Sequence, residues 1–300
     1  MIISRRAFLE YSSKILGTLG LSAAGLANLQ EVLAGPLAPR VIWLQGAGCG
    51  GCSDSFLNYV SPTPPASAAD VLISSINLMY HSMLMGSQGE QSSSIIQDAL
   101  NTGGYILAVE GGIPTAFTGH ACTVWESGGA PVTAKDALLS LASKATQVLS
   151  IGTCAAWGGV PKASPNSGAI ASVATVIGRP TVNIAGCPTH PDWIVWGIVN
   201  AINGTIGPLD AYGRPTNLYS LPHGYALHDS CPKLYATRVS TYGQDNRCLI
   251  MLGCKGPKSV ARCPISQWNN GVNWCTVVNS LCLGCVNNNF PINPLRIVTS

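Results

Sequence analysis

The stretch Val41-Ile42-Trp43-Leu44-Gln45-Gly46-Ala47-Gly48-Cys49-Gly50-Gly51-Cys52 gives the clearest indication of the fold. Its first five residues form a short apolar run, which is typical of a buried strand. The glycine-rich segment that follows predicts a tight loop. Ser53 and Asp54 then predict the N-terminal cap of a helix that extends to Val60. A buried strand that leads through a glycine turn into a helix is typical of α/β proteins.

Similar segments recur along the first two-thirds of the chain. Further strands are predicted at residues 105–109, 147–151 and 182–185, and helices between strands at residues 92–101 and 133–144. Because strands alternate with helices, we expect an α/β fold with a flavodoxin-like, doubly wound parallel sheet. Ligands bind such sheets beyond the carboxyl ends of the strands.

That rule groups four cysteines. Cys49, Cys154 and Cys187 each follow a predicted strand end, behind a glycine, and the C-x-x-C spacing joins Cys52 to Cys49. We therefore predict one four-cysteine site, where glycines allow backbone amides to approach sulfur. Cys122 has no predicted strand end beside it, and it is left over as the spare cysteine.

From about residue 206 the alternation stops, and the chain becomes loop-rich. We place a domain boundary near residue 205, which gives domains at 35–205 and 206–300. The second domain holds the remaining seven cysteines: Cys231, Cys248, Cys254, Cys263, Cys275, Cys282 and Cys285. His228 lies three residues before Cys231, and adding it gives eight ligands, enough for two four-iron clusters; His223 is a weaker alternative to His228. A domain this poor in regular structure needs such cross-links.

Twelve cysteines permit three interpretations: disulfides, zinc sites or iron–sulfur clusters. Exported proteins commonly form disulfides. However, Cys49 and Cys52, and again Cys282 and Cys285, are spaced to bind one metal centre rather than each other. Iron–sulfur clusters are the favoured interpretation, and zinc and disulfides are the alternatives.

Residues 1–34 are typical of a twin-arginine signal peptide. Ser4-Arg5-Arg6-Ala7-Phe8-Leu9 carries the arginine pair, an apolar stretch follows over residues 15–27, and Val32-Leu33-Ala34 offers a cleavage point. This route exports folded proteins, which favours a cofactor inserted in the reducing cytoplasm. The alternative is a membrane anchor, but the apolar run is shorter than the roughly 20 residues that span a bilayer. We expect a periplasmic protein, soluble or peripheral.

The composition is apolar and poor in charge. Hydrophobic residues make up 47% of the chain and charged residues 10%, whereas average soluble proteins carry about 25% charged residues. The net charge of +3 is too small to indicate a nucleic-acid partner. A large apolar interface with a partner protein is expected instead.

With these motifs in place, the sequence resembles the small subunit of nickel–iron hydrogenases over nearly its whole length. The matching features are the twin-arginine leader, Cys49-Gly-Gly-Cys52, Glu110-Gly, Gly152-Thr-Cys154, Gly158-Gly159, Gly186-Cys187-Pro188, His228-x-x-Cys231, Leu252-Gly-Cys254-Lys-Gly-Pro257, Trp268-Asn-x-Gly-Val-Asn-Trp274 and Cys282-x-Gly-Cys285.

The resemblance implies three cluster sites. The proximal 4Fe–4S cluster would bind Cys49, Cys52, Cys154 and Cys187, the distal cluster His228, Cys231, Cys248 and Cys254, and the medial cluster Cys263, Cys282 and Cys285. It also implies a large-subunit partner that holds the nickel–iron centre, an external electron carrier such as a multihaem cytochrome, and no catalytic residue in this chain.

Departures from the family pattern sharpen these expectations. Many members have proline at the position of Cys275. A cysteine here provides a fourth thiolate, as in the nickel–iron–selenium branch, which the sequence resembles more closely. It therefore predicts a 4Fe–4S medial cluster, with 3Fe–4S as the alternative. Gly51 and Gly159 stand where oxygen-tolerant members carry extra cysteines, which predicts an ordinary proximal cubane. Gly48 replaces a glutamate common in relatives. The sequence up to Ser300 shows no C-terminal membrane helix of the kind membrane-bound members add.

Two other functions stay open from the sequence. One is an H2-sensing relative, against which the leader argues, because sensors generally stay in the cytoplasm. The other is an iron–sulfur subunit of a different redox complex, such as the quinone-reductase relative. That relative resembles only the N-terminal half of the chain.

Overall fold

A computed structural model of the chain describes residues 39–87, 89–222 and 225–291. The expected signal peptide at 1–34, the tail from residue 292 and His223 lie outside the described residues. No helix in the described ranges has the length and apolar character needed to cross a membrane.

Five parallel strands form the central sheet, and two small antiparallel ladders flank it. The strands are β1 (Arg40–Gln45), β2 (Asn77–His81), β3 (Tyr105–Glu110), β4 (Ile113–Pro114), β5 (Thr123–Ser127), β6 (Ala130–Thr133), β7 (Ala145–Ile151), β8 (Ile170–Ala171) and β9 (Val182–Ile184). The central sheet has the order β2-β1-β3-β7-β9. This is the 2-1-3-4-5 order of flavodoxin, and the predicted α/β class is confirmed.

The four predicted strands are all present, but the sequence pattern does not predict β2. It lies at the edge of the sheet, where Asn77 is exposed and only Tyr80 and His81 are buried. An edge strand needs fewer apolar residues, so its sequence gives a weaker pattern.

Helices cover both faces of the sheet. They are α1 (Gly51–Leu57), α2 (Ala68–Asp70), α3 (Glu90–Thr102), α4 (Ala134–Lys144), α5 (Gly152–Trp157), α6 (Val173–Ile177), α7 (Pro191–Asn203) and α8 (Cys263–Ser266). Val41 and Trp43 pack with α1 and α7 on one face, and Ile42 and Leu44 pack with α3 and α4 on the other. Each fully buried large apolar side chain contributes about 1.5–3 kcal/mol.

The residues before α4 and α1 determine where these two helices begin. The helix predicted at residues 133–144 is α4, and Thr133 is its N-terminal cap, because the Thr133 Oγ1 accepts a hydrogen bond of 3.0 Å from the Asp136 N–H. The predicted cap of α1 at Ser53 and Asp54 is wrong. The helix begins at Gly51, after Gly50 in a left-handed conformation (φ 77°), and ends at Leu57. Cys52 therefore lies within the first helical turn rather than in a loop.

Residues 206–222 and 225–291 contain three short 3₁₀ turns (Leu227–Ser230, Ile250–Leu252 and Gly256–Lys258) and α8. This segment packs against the sheet core. The Tyr219 hydroxyl donates to the Ala185 carbonyl at 2.7 Å. Arg214 pairs with Asp210 at 2.8 Å and donates to the Val286 carbonyl at 2.9 Å.

Candidate iron–sulfur sites

The first four cysteines meet at the carboxyl edge of the sheet. Cys49 follows β1, Cys154 lies in the first turn of α5 after β7, and Cys187 follows β9. Burial raises the pKa of the Cys154 thiol to about 11, with smaller contributions from the Cys187 and Cys49 thiols. Burial likewise raises the pKa of Cys52, and Cys154 contributes. All four thiols are therefore close enough for their charges to interact.

Glycines make room for two of these sulfurs. A Cβ added to Gly152 would lie 2.6 Å from the Cys52 Sγ, and one added to Gly159 would lie 2.8 Å from the Cys154 Sγ. Both glycines also have positive φ, at 86° and 52°. A side chain at either position would displace a sulfur, which explains the glycines around this site.

Backbone amides donate to the same group of sulfurs. The Gly51 N–H lies 3.4 Å from the Cys49 Sγ, and the Thr189 N–H lies 3.5 Å from the Cys52 Sγ. Such donors stabilise a thiolate over a thiol, and around a cluster they raise its reduction potential.

Glu110 supports the helix that carries Cys52, a role that sequence reasoning missed. This carboxylate is 3% exposed. Its oxygens accept hydrogen bonds from the Cys52 N–H at 2.9 Å, the Ser53 N–H at 3.3 Å and the Trp43 indole N–H at 3.1 Å. A carboxylate at a helix N-terminus satisfies free N–H groups and interacts favourably with the helix dipole. The only signal in the sequence is an acidic residue at the end of an apolar strand.

The network continues from Glu110 to His81. The Ser53 hydroxyl donates to Glu110, and the His81 Nε2 lies 3.2 Å from the same hydroxyl. The Met83 N–H donates to the His81 Nδ1 at 3.2 Å, so the Nε2 carries the ring proton. Burial lowers the pKa of His81 to about 4, and the ring is neutral at pH 7.

The predicted medial cysteines form a second group. Burial raises the pKa of the Cys263 thiol well above its usual range, and Cys285, Cys282 and Cys275 add to the effect. Cys275 therefore lies near the other three. Burial also raises the pKa of Cys282 to about 11 and that of Cys285 to about 12.

The cysteine groups adjoin one another. Cys285 interacts with Cys187, and the Cys282 N–H donates to the Cys254 Sγ at 3.3 Å. The first group of cysteines therefore adjoins the second group, and the second group adjoins Cys254. Because Cys254 also affects the pKa of Cys275, these interactions alone do not divide the ligands between the medial and distal sites.

The predicted distal ligands show fewer contacts between their side chains than the two other groups. A Cβ on Gly256 would lie 3.6 Å from the Cys254 Sγ and 3.7 Å from the His228 N, so these two residues flank that glycine. The Cys231 N–H donates to the His228 carbonyl at 3.0 Å, which closes the H-x-x-C turn. Cys248 precedes Leu249, whose carbonyl accepts a hydrogen bond from the Cys254 N–H at 3.4 Å.

Cys122 and two histidines lie apart from these groups. Burial is the one cause that raises the pKa of the Cys122 thiol, with no contribution from another cysteine of the described chain. His81 belongs to the Glu110 network, and His190 bonds to the Gln267 carbonyl and packs against Trp268.

The donor set fits iron–sulfur clusters. All twelve cysteines lie within the described residues, and all are free thiols. In that part of the chain, no three His, Cys, Asp or Glu side chains converge closely enough to hold one metal ion. A zinc ion needs such a tight tetrahedron, whereas a cluster spreads its thiolates over several iron atoms.

Two family models match consecutive parts of the chain. Residues 49–201 match the family model described as NADH ubiquinone oxidoreductase, 20 Kd subunit. Residues 223–295 match the model for the C-terminal part of the NiFe/NiFeSe hydrogenase small subunit. The quinone-reductase likeness is thus limited to the N-terminal part.

Whole-length relatives are hydrogenase subunits. The periplasmic [NiFeSe] hydrogenase small subunit of Desulfomicrobium baculatum is 36% identical over 97% of both chains. The periplasmic [NiFe] hydrogenase small subunit of Solidesulfovibrio fructosivorans is 34% identical over 94% of this chain and 88% of that one. The solved structure of the [NiFeSe] hydrogenase of Desulfovibrio vulgaris Hildenborough superposes with a TM-score of 0.79, 37% identity, and coverage of 88% of this chain and 98% of that chain. This chain therefore belongs to the family of NiFe and NiFeSe hydrogenase small subunits, iron–sulfur components of enzymes whose active site is in the large subunit.

Proposed function

We propose that the chain relays electrons through three 4Fe–4S clusters between a nickel–iron site in the large subunit and an external carrier. The observation that carries this proposal is the unbroken succession of thiols, from Cys187 to Cys285 and from Cys282 to Cys254. When bound, iron–sulfur clusters supply one-electron redox chemistry. The overall reaction would be the reversible conversion of H2 to two protons and two electrons.

The ligands would be distributed as the family pattern implies. The proximal set is Cys49, Cys52, Cys154 and Cys187, the medial set is Cys263, Cys275, Cys282 and Cys285, and the distal set is His228, Cys231, Cys248 and Cys254. The proximity of Cys275 to Cys263 supports a four-iron rather than a three-iron medial cluster.

The large subunit would cover the proximal edge. Cys49 is exposed in this chain alone, although a redox site needs protection from water. A groove of about 1080 Å³ adjoins it, lined in part by Gly51, Pro188, His190 and Trp268. A partner seated there would bury the edge and approach the proximal cysteines. The chain's own residues would keep the thiolates in place, with Glu110 fixing the start of α1.

The distal site would be the exit. Imidazole is neutral where thiolate is anionic, so His228 should raise the potential of the distal cluster, as histidine does in Rieske centres. We also propose export to the periplasm by the twin-arginine route, as the periplasmic relatives suggest. The division into domains at 35–205 and 206–300 belongs to the same proposal.

Metal analysis and EPR of the complex purified with its partner test the function. We expect nickel in the large subunit and iron for three four-iron clusters, with no stoichiometric three-iron signal after oxidation. The chain expressed alone should evolve no hydrogen. A stoichiometric three-iron signal would refute the four-iron medial cluster, and a complex without nickel would refute the hydrogenase assignment.

A further inference from the structure

Charge is unevenly distributed along the chain. Residues 39–205 carry five Lys or Arg and eight Asp or Glu, a net charge of −3, whereas residues 206–291 carry seven Lys or Arg and three Asp, a net charge of +4. The described residues that hold the distal and medial sites are therefore basic, although the whole chain is close to neutral.

The three acidic residues of this basic part already have partners. Asp229 accepts from the backbone N–H groups of Tyr225 and Ala226 at 2.7 and 2.8 Å. Asp245 accepts from the Asn279 amide at 3.0 Å, and Asp210 pairs with Arg214. In the described ranges, the exposed cations Arg238, Arg247 and Lys258 form no ion pair within 4 Å.

These three cations belong to the segments that hold the distal ligands. Arg238 forms a backbone bridge with Cys248, and Arg247 precedes Cys248 and donates to the Thr237 hydroxyl at 3.2 Å. Lys258 ends the turn Gly256–Lys258, which packs against the turn that carries His228.

Exposed aromatic and methionine side chains accompany the cations. Tyr225 is 95% exposed, Tyr235 is 96% exposed and Met251 is 65% exposed. Tyr225 lies three residues before His228, and Met251 lies three residues before Cys254. Tyrosine, methionine and arginine are enriched at protein interfaces.

We propose that these six residues form a docking surface, the distal rim, for an electron-carrier protein whose own docking face is acidic. The distal rim is Tyr225, Tyr235, Arg238, Arg247, Met251 and Lys258. The proposal rests on the proposed exit of electrons at the His228 site. Complementary charge would steer an acidic carrier to the rim and repel a lysine-rich one, with effects on association of about tenfold or more at low ionic strength.

One carrier protein, prepared in two forms of opposite net charge, provides the test. The purified heterodimer oxidises H2 with cytochrome c as acceptor, either in its native basic form or after succinylation of its lysines. Both forms keep the same haem. The variant R238E/R247E/K258E is compared with wild type, and K135E/K144E/K162E, on the sheet domain, is the matched charge control. H2/D2 exchange and reduction of a small uncharged quinone are measured in parallel.

We expect a kcat/KM for succinylated cytochrome c about tenfold above that for the native form at low salt. This advantage should shrink as NaCl rises to about 200 mM, because salt screens the exposed charges, and it should reverse in the distal-rim variant alone. Equal rates for both forms, a preference for the native form, or an equal effect of the control variant would overturn the proposal. So would tight binding to phosphatidylglycerol vesicles with no preference between the cytochromes.

Failure of the proposed function gives a different result. If H2/D2 exchange proceeds but neither the quinone nor either cytochrome is reduced, the relay itself is refuted, and the docking surface with it. If the quinone is reduced and neither cytochrome is, the relay stands and the distal rim is refuted.

Discussion

The substitution Gly152→Ala should selectively disrupt the proximal site. Gly152 begins α5 and has a φ of 86°, and a methyl group there would lie 2.6 Å from the Cys52 Sγ. Ordinary contacts begin at 3.4 Å, so the sulfur would have to move by about 0.8 Å. A bound group tolerates displacements of only about 0.5 Å from its working geometry. We therefore expect loss of the proximal cluster rather than adjustment around it.

The energetic cost has two parts. A left-handed backbone costs alanine about 1 kcal/mol relative to glycine. Overpacking against Cys52 adds about 1–3 kcal/mol. Gly178→Ala separates the two, because Gly178 ends α6 with a φ of 68° and open space around its Cα. Gly178→Ala should therefore show the backbone strain without the clash.

Iron content and thermal unfolding of the purified heterodimer measure these effects. Gly152→Ala should lose about one third of the iron, as expected when one of the three proposed four-iron clusters is lost, and unfold at a lower temperature than the control. Gly178→Ala should keep its iron and lose about 1 kcal/mol of stability. If both variants retain full iron and unfold together, Gly152 does not make room for the cysteine sulfur, and the described geometry of the proximal site is wrong.

Three further predictions concern buried or ligating side chains. Glu110→Gln should destabilise the complex by about 1–3 kcal/mol in thermal unfolding, because the glutamine NH2 group would face N–H groups that now donate to the carboxylate. The control Glu126→Gln, on an exposed strand, should have no effect. His81 has a folded pKa of about 4, below its unfolded value of about 6.5, so its neutral form stabilises the fold above pH 6.5 and that contribution is lost as pH falls toward 4. Wild type should therefore lose about 1.5 kcal/mol more than His81→Gln between pH 6.5 and 5, and parallel pH profiles would contradict this. His228→Ala should slow reduction of external acceptors and spare H2/D2 exchange; equal loss of both activities would contradict the exit role.

The sequence predicts the sheet well because its central strands are buried on both faces. The apolar runs at residues 105–109 and 147–151 need no knowledge of their neighbours, since both faces of such strands contact helices. The edge strand Asn77–His81 is not predicted in this way, because only its last two residues are buried. The start of the first helix is predicted wrongly for another reason: it is fixed by the left-handed Gly50 and by distant Glu110, not by Ser53.

The cysteine grouping could be predicted because strand ends bring distant residues to one edge. Cys49 and Cys187 are far apart in sequence, yet parallel strands place both at the same end of the sheet. No comparable rule applies to residues 206–291, where turns replace strands. There the ligand sets come from the family pattern, and the interactions of Cys254 with both Cys282 and Cys275 show why geometry alone leaves their division open.

Glu110 shows what neither periodicity nor motif spacing could reveal. A buried carboxylate opposes ionisation of neighbouring cysteine thiols, and burial together with the charge of Glu110 raises the pKa of Cys52. Its position is sustained by donors from three residues: the Cys52 amide, the amide and hydroxyl of Ser53, and the Trp43 indole. Since these partners lie 57 to 67 residues away in sequence, only the folded chain brings them together. The same carboxylate that opposes deprotonation of Cys52 electrostatically holds the helix turn that positions its sulfur, so Glu110→Gln should weaken the site's position even as it removes a repulsive charge.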